Sequence, residues 1–184
     1  MQQGNEQPYY GRKILVVYAS QFGSTGEVAQ VIGDVLISQG HNVVIKAISQ
    51  VNDISSYEAV IIGGAIQYDR WMAPARKFVY QHQEHLSKIP FACFFNCLTL
   101  SRKDEASVAQ AKGYAKAIEK LVIGLKPVDV HGFAGVLDYS KMSIPVRIVA
   151  KIIFLIIGVK EGDYRDWGAI KIWAYALDKM VFKN

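Results

Sequence analysis

Cysteine is scarce: Cys93 and Cys97 are the two in 184 residues, too few for a disulfide framework, and a reducing cytosol suits them. Fifteen glycines and five prolines, with no compositionally simple tract, exclude collagen-like, coiled-coil and low-complexity chains. Acidic residues are outnumbered, 16 against 21 Lys and Arg, for a net charge of +5. That balance suits an anionic partner and equally suits plain solubility; nucleic acid is not expected among the partners. Residues 1–12 carry Gln, Asn, Glu and Pro without an apolar stretch of signal-peptide length, so they read as a flexible polar tail on a cytoplasmic protein. What is abundant is apolar surface. At 51% hydrophobic residues, positions 13–184 can form one domain with a full core.

The apolar pattern changes period repeatedly. KILVVYA, from Lys13 to Ala19, is a β-branched run without polar alternation, the pattern of a strand buried on both faces. Val28, Val31, Ile32, Val35 and Leu36 then make a helical stripe that stops at Gly40. Val43–Ile48, Ala59–Ile62 and Phe91–Phe95 supply three more strands, and Pro127–Leu137 a fifth. Helices are expected from Pro74 to Leu86, from Asp104 through Leu121 and Val122, and at the end of the chain on Ile170, Trp173, Ala174, Leu177 and Val181. Strands alternating with helices predict a three-layer α/β/α sandwich with a parallel sheet. Its ligand should lie beyond the carboxyl ends of the strands, at the loops after strands one, three and four.

The first of these loops, Ser20-Gln21-Phe22-Gly23-Ser24-Thr25, leads from a buried strand into a helix. Its amides and three hydroxyls converge where the helix dipole is positive, which suits a phosphate. The segment holds no Lys or Arg, and neither G-x-x-x-x-G-K-[ST] nor G-x-G-x-x-G is present, which argues against nucleotide-triphosphate chemistry. A phosphate that is held rather than transferred fits better; the same residues would also serve as a plain helix cap.

The run Ser20-x-Phe22-Gly23-Ser24-Thr25 after KILVVYA resembles the flavodoxin phosphate loop, with Phe22 where a hydroxyl residue is more usual. The resemblance implies FMN as cofactor, its phosphate held by Ser20, Gly23, Ser24 and Thr25 with the amides of Gln21 and Phe22, and a sheet of strand order 2-1-3-4-5. Ala65, Ile66, Gln67 and Tyr68 after strand three, and Asn96, Cys97, Leu98 and Thr99 after strand four, would then flank the flavin ring. Tyr68 and Trp71 are the aromatic candidates for stacking on it, or packing anchors before a helix. Cys93 reads as a small core hydrophobe. Cys97 has no basic neighbour to activate it. His82 and His85 lack metal-ligating partners and read as surface histidines. No metal site and no catalytic acid or base is assigned.

Residues 139–165 are too long and too apolar for a simple connection between strand five and the last helix. From Tyr139 to Lys160 this insertion carries Lys141, Arg147, Lys151 and Lys160 and no acidic residue. Ile144, Ile148, Ile152, Leu155 and Val159 can share one helical face, with Arg147, Lys151 and Gly158 opposite. The apolar run Ile152–Ile157 is far short of the roughly 20 residues that span a bilayer. A basic amphipathic helix lying on an anionic membrane is one reading; a protein interface, including a homo-oligomer contact, or a cover for the sheet edge is the other.

YASQFGST, VIIGGAIQYDRW, FFNCLTLSRK, this basic insertion and the DW before the last helix together resemble the flavodoxin-type, menaquinone-dependent protoporphyrinogen oxidase family. The resemblance implies an FMN-dependent oxidoreductase that takes electrons from a porphyrinogen, or another small-molecule donor, and passes them to a quinone at the inner face of the cell membrane. Arg147 and Lys151 would be partners for substrate propionates or lipid phosphates. The alternative is a flavodoxin-like electron-transfer protein or partner module without substrate turnover of its own.

Overall fold

The computed structural model describes residues 11–121, 124–156 and 158–182. Its elements are β1 (Lys13–Ala19), α1 (Ser24–Ser38), β2 (Asn42–Ala47), β3 (Ala59–Gln67), β4 (Arg70–Trp71), α2 (Ala73–Gln81), α3 (Gln83–Leu86), β5 (Phe91–Cys97), α4 (Glu105–Glu119), β6 (Val130–Ala134), β7 (Val136–Leu137), α5 (Ile144–Ile156), β8 (Gly162–Asp163) and α6 (Trp167–Phe182). Five parallel strands form the main sheet in the order β2-β1-β3-β5-β6, the expected 2-1-3-4-5 arrangement. The short antiparallel β4 adds to it as a hairpin on the end of β3.

Strand alternation divides the core in two. Leu15 and Val17 of β1 pack with Phe78 and Val79 of α2 and with Ala111 and Ile118 of α4 on one face. Ile14 and Val16 face Val28, Ile32 and Leu36 of α1 and Ile170, Trp173 and Leu177 of α6 on the other. Helices α1, α2, α4 and α6 bury the stripes their periodicity marked, and Phe94, Phe133 and Trp173 close the second face as an aromatic cluster. His41 ties the sheet edge to α6: its Nδ1 accepts from the Arg12 amide at 3.1 Å while its Nε2 lies 2.6 Å from Asp178 Oδ1.

Several boundaries differ from the sequence expectation. Positions 11 and 12, read as the end of the tail, are packed: a methyl at Gly11 would meet Gly40 O at 1.7 Å, and the Arg12 amide is bound to His41. The rest of that tail, residues 1–10, and the expected helical position Val122 lie outside the described residues. The helix from Pro74 breaks at His82 into α2 and α3. Strand three runs five residues beyond Ile62, because Gly63 and Gly64 continue the ladder with β5 and β1. Strand five breaks at Gly135, where the chain leaves the main sheet and β7 pairs with β8 instead.

That two-stranded neck carries the insertion. Tyr139 donates its amide to Glu161 Oε1 at 2.8 Å, and Tyr164 donates its amide to Gly135 O at 3.2 Å, which closes the base. On α5, Ile144, Val146, Ile148, Val149, Ile152, Ile153, Leu155 and Ile156 are all at least half exposed, Leu155 to 82%. At 100° per residue they cover about 200° of the helix circumference. Val159, expected on that same face, lies past the helix end and is buried, since Gly158 at φ 72 terminates α5. Ile157, the last residue of the apolar run, is outside the described residues.

Candidate functional site

Parallel register brings three chain turns to one sheet edge. Ala19 stands beside Gly64 and Ala65 beside Asn96, so the loops leaving β1, β3 and β5 emerge side by side. Loops one and two touch directly: Gln67 Nε2 donates to Gln21 Oε1 at 2.6 Å.

The turn after β1 folds on itself, with the Gly23 amide donating to Ser20 Oγ at 2.9 Å. Gly23 has φ +91 and precedes α1 as its cap, where a side chain would be strained. No side chain caps α1. Thr25, 1% exposed, holds an Oγ1 that is enclosed and without a hydrogen-bond partner. A plain capping role for Ser24 and Thr25 is therefore not what the geometry shows; amides and one orphaned hydroxyl face the start of the helix dipole.

Arg165 is the residue that local sequence reading missed here. Its guanidinium, 6% exposed, donates to Ser24 O at 3.2 Å, to Glu27 Oε2 at 2.8 Å and to Asp163 Oδ2 at 2.6 Å, and it stacks 4.3 Å from the Trp167 ring. Burial opposes its charge, but Asp163 and Glu27 outweigh burial and push its proton affinity above the ordinary value. Hydrogen bonds from Arg165 in turn hold the Asp163 carboxyl below its usual range. The cradle that looked free of charge in sequence is backed by a cation from the far end of the insertion, offset by two carboxylates. Only the spacing of DYRDW ahead of the last helix could have signalled it.

The second turn is a two-residue hairpin between β3 and β4. Tyr68 and Asp69 adopt φ 49 and 57, the left-handed pair such a tight turn demands. Asp69 Oδ1 accepts from Tyr114 OH and from Gln110 Nε2, which pins the tip to α4. Burial first, and then Asp69, push the Tyr114 hydroxyl upward, so it keeps the proton it donates. Tyr68 is 99% exposed at this tip. Trp71, the other stacking candidate, is instead 4% exposed and packs in the core beside Ala75. Gly63 and Gly64 have a packing reason: a methyl at Gly63 would lie 2.1 Å from Phe94 Cζ and one at Gly64 2.7 Å from Trp71 Nε1.

In the third turn Asn96 and Cys97 belong to β5 itself, followed by a 3-10 turn over Leu98–Ser101. Buried Asn96 donates from Nδ2 to Ala134 O at 3.4 Å, and its Oδ1 is without a partner. Burial pushes both thiols up, Cys93 and Cys97 alike, so neither is a thiolate at neutral pH. Arg147 is not free to reach a ligand: it folds back on the carbonyls of Met142 at 3.1 Å and Ser140 at 3.3 Å. Lys151 lies over the Tyr139 ring at 5.5 Å. Among the described residues no group of three or more His, Cys, Asp or Glu could hold a metal.

A curated protoporphyrinogen IX dehydrogenase [quinone] from Escherichia coli K12 is 25% identical over 180 residues, covering 93% of this chain and 97% of that protein. One of the same name from Leishmania major is 29% identical over 126 residues, 66% of this chain and 54% of that protein. The solved flavoprotein of Lactobacillus acidophilus in complex with FMN superposes with a TM-score of 0.51 at 16% identity, over 66% of this chain and 93% of its own, a likeness of fold. The flavodoxin domain model matches residues 15–163, so this chain belongs to the flavodoxin domain family.

Proposed function

We propose that this chain is an FMN-dependent oxidoreductase that dehydrogenates protoporphyrinogen IX and delivers the electrons to a quinone. The observation that carries it is a pair of buried polar atoms without partners, Thr25 Oγ1 in the first turn of α1 and Asn96 Oδ1 near the end of β5. Orphans of this kind are uncommon in a native fold unless something else satisfies them. Their chemistry fits FMN: a hydroxyl and helix-start amides for a phosphate, and an amide oxygen for a ring N–H. Near-full-length similarity to a protein named for that substrate and acceptor supports the narrower activity.

In this reading Ser20, Gln21, Phe22, Gly23, Ser24 and Thr25 hold the phosphate. Ala65, Ile66, Gln67 and Tyr68 cover one side of the ring, and Asn96, Cys97, Leu98 and Thr99 the other. When bound, FMN supplies the hydrogen-accepting and electron-donating chemistry. The chain's own contribution is orientation. The Gln21–Gln67 bond sets the spacing of two loops, and the buried thiols stay protonated and out of the redox chemistry.

The insertion would bring the protein to the inner face of a membrane. No described helix is long and apolar enough to cross one. An exposed arc of isoleucine, valine and leucine beside Lys141, Lys151 and Lys160 suits an anionic lipid surface, where the helix lies flat. The same exposed arc also favours a second reading, an electron carrier that docks another protein or copy through α5.

Anaerobic reduction of the yellow holoprotein by protoporphyrinogen, followed by fast reoxidation with a menaquinone analogue, tests the enzymatic reading. A flavin that stays oxidised in the presence of that donor overturns it in favour of the carrier. Co-sedimentation with anionic vesicles that declines with salt tests the membrane reading, and equal recovery on neutral vesicles removes it.

A further inference from the structure

Between the β3–β4 hairpin and the first turns of α2 lies an open cleft of about 500 Å³, bordered by Gln67, Tyr68, Arg70, Trp71, Met72 and Arg76. Arg76 also borders an adjoining hollow along α2 with Lys77 and Tyr80. No carboxylate lines either space. The nearest in sequence, Asp69, is committed to Tyr114 and Gln110.

The two arginines of this cleft are set apart from others in the molecule. Arg102 is paired with Asp104, Arg165 with Asp163 and Glu27, and Arg147 with backbone carbonyls. Among the described residues, Arg70 and Arg76 have no ion pair and no side-chain hydrogen bond. Arg76 Nε is moreover enclosed without an acceptor, as is Trp71 Nε1. An enclosed guanidinium donor without an acceptor is costly, and a carboxylate is the group its fork geometry matches. The cleft also has the volume range of a small-molecule site and a fully exposed aromatic, Tyr68, at its rim.

We infer that this cleft is the substrate's carboxylate anchor: Arg70 and Arg76 bind the acidic side chains of a dianionic tetrapyrrole macrocycle. The identity of that ligand rests on the oxidoreductase reading above, since a porphyrinogen with two propionates meets the description. Gln67 and Tyr68 border the cleft and also belong to the segment assigned to the ring, so the anchor adjoins the redox centre. Arg147 Nε is likewise enclosed without an acceptor, but its Nη2 is bound to the carbonyls of Ser140 and Met142 on its own turn, outside this cleft.

The test uses purified holoprotein and protoporphyrin IX, the stable oxidised porphyrin, with binding read from porphyrin fluorescence. The diacid is expected to bind at least about tenfold tighter than its dimethyl ester, as loss of a charge-assisted contact implies. Arg70→Ala and Arg76→Ala should each weaken the diacid by about tenfold, leave the ester unchanged and leave the FMN content intact. Arg102 borders a separate hollow with Ile156, Val159 and Tyr164, and Arg102→Ala should change nothing. Equal affinity for acid and ester in the unmodified protein overturns the anchor without any variant having to fold. Turnover of protoporphyrinogen with porphyrin affinity indifferent to both arginines overturns the anchor alone. Arginine-dependent porphyrin binding without turnover supports the anchor and overturns the enzymatic reading instead.

Discussion

Gln67 Nε2 and Gln21 Oε1, 46 residues apart in the chain, meet at 2.6 Å and join the turn after β1 to the end of β3. The bond spans the two loops assigned to opposite parts of the cofactor, so it should act on affinity more than on folding. Gln67→Ala is expected to weaken FMN binding several-fold, about 1 kcal/mol, with little change in the unfolding midpoint of the apoprotein. Flavin fluorescence titration measures the first and urea denaturation the second; a stability loss without an affinity loss would make the contact merely structural.

Thr25 allows a cleaner separation. Its buried hydroxyl lacks a partner in the protein, so Thr25→Val should leave the apoprotein as stable or more so. In the holoprotein the same change removes a hydrogen bond to a charged phosphate and should cost about 1.5–3 kcal/mol of FMN affinity. Ser24→Ala combined with Thr25→Ala should weaken binding further. Unchanged FMN affinity in the double variant removes the phosphate assignment.

Gly63 is predicted to be irreplaceable for a reason of packing. An added methyl would sit 2.1 Å from the Phe94 ring, so Gly63→Ala should destabilise by about 1–3 kcal/mol. Pairing it with Phe94→Leu should restore part of the loss, and a thermal-denaturation cycle of the four proteins reads the coupling.

The Asp163–Arg165 pair predicts a pH signature. Asp163 is held below its ordinary value in the folded protein, so the unfolded state binds the extra proton first as pH falls. Its stabilisation is thus complete above about pH 4 and fades as acid brings the solution through the lower folded value. Asp163→Asn should cost on the order of 1 kcal/mol at pH 7, a figure kept small because the carboxyl is partly exposed. Urea midpoints of variant and parent should draw together as the pH falls below the ordinary aspartate range; a gap that stays constant on acidification would mean that charge is not the cause.

Much of the architecture was legible in the one-dimensional pattern, because burial on two faces leaves a strong mark. KILVVYA and FACFF could hardly be anything but central strands, and the stripes on α1 and α6 name the residues that close the second core. The turn between β1 and α1 was legible too, since its hydroxyls and glycine are contiguous. The insertion's helical character followed from spacing, though not its end: Gly158 stops α5 and turns Val159 inward.

Long-range pairing was not legible, for a physical reason. Side-chain contacts such as Arg165 on Ser24 and Glu27, Asp69 on Tyr114, or Gln67 on Gln21 join residues tens to more than a hundred positions apart, and local periodicity carries no trace of them. Trp71 shows the same limit, because nothing in IQYDRW tells that the hairpin turns its indole into the core and leaves Tyr68 outside. Composition and periodicity determined which segments are buried strands and which faces of the core helices turn inward, but not where the strands end. Only the packed sheet decided which charges meet and, among the described residues, which arginines and which buried polar atoms are left without a partner in the protein.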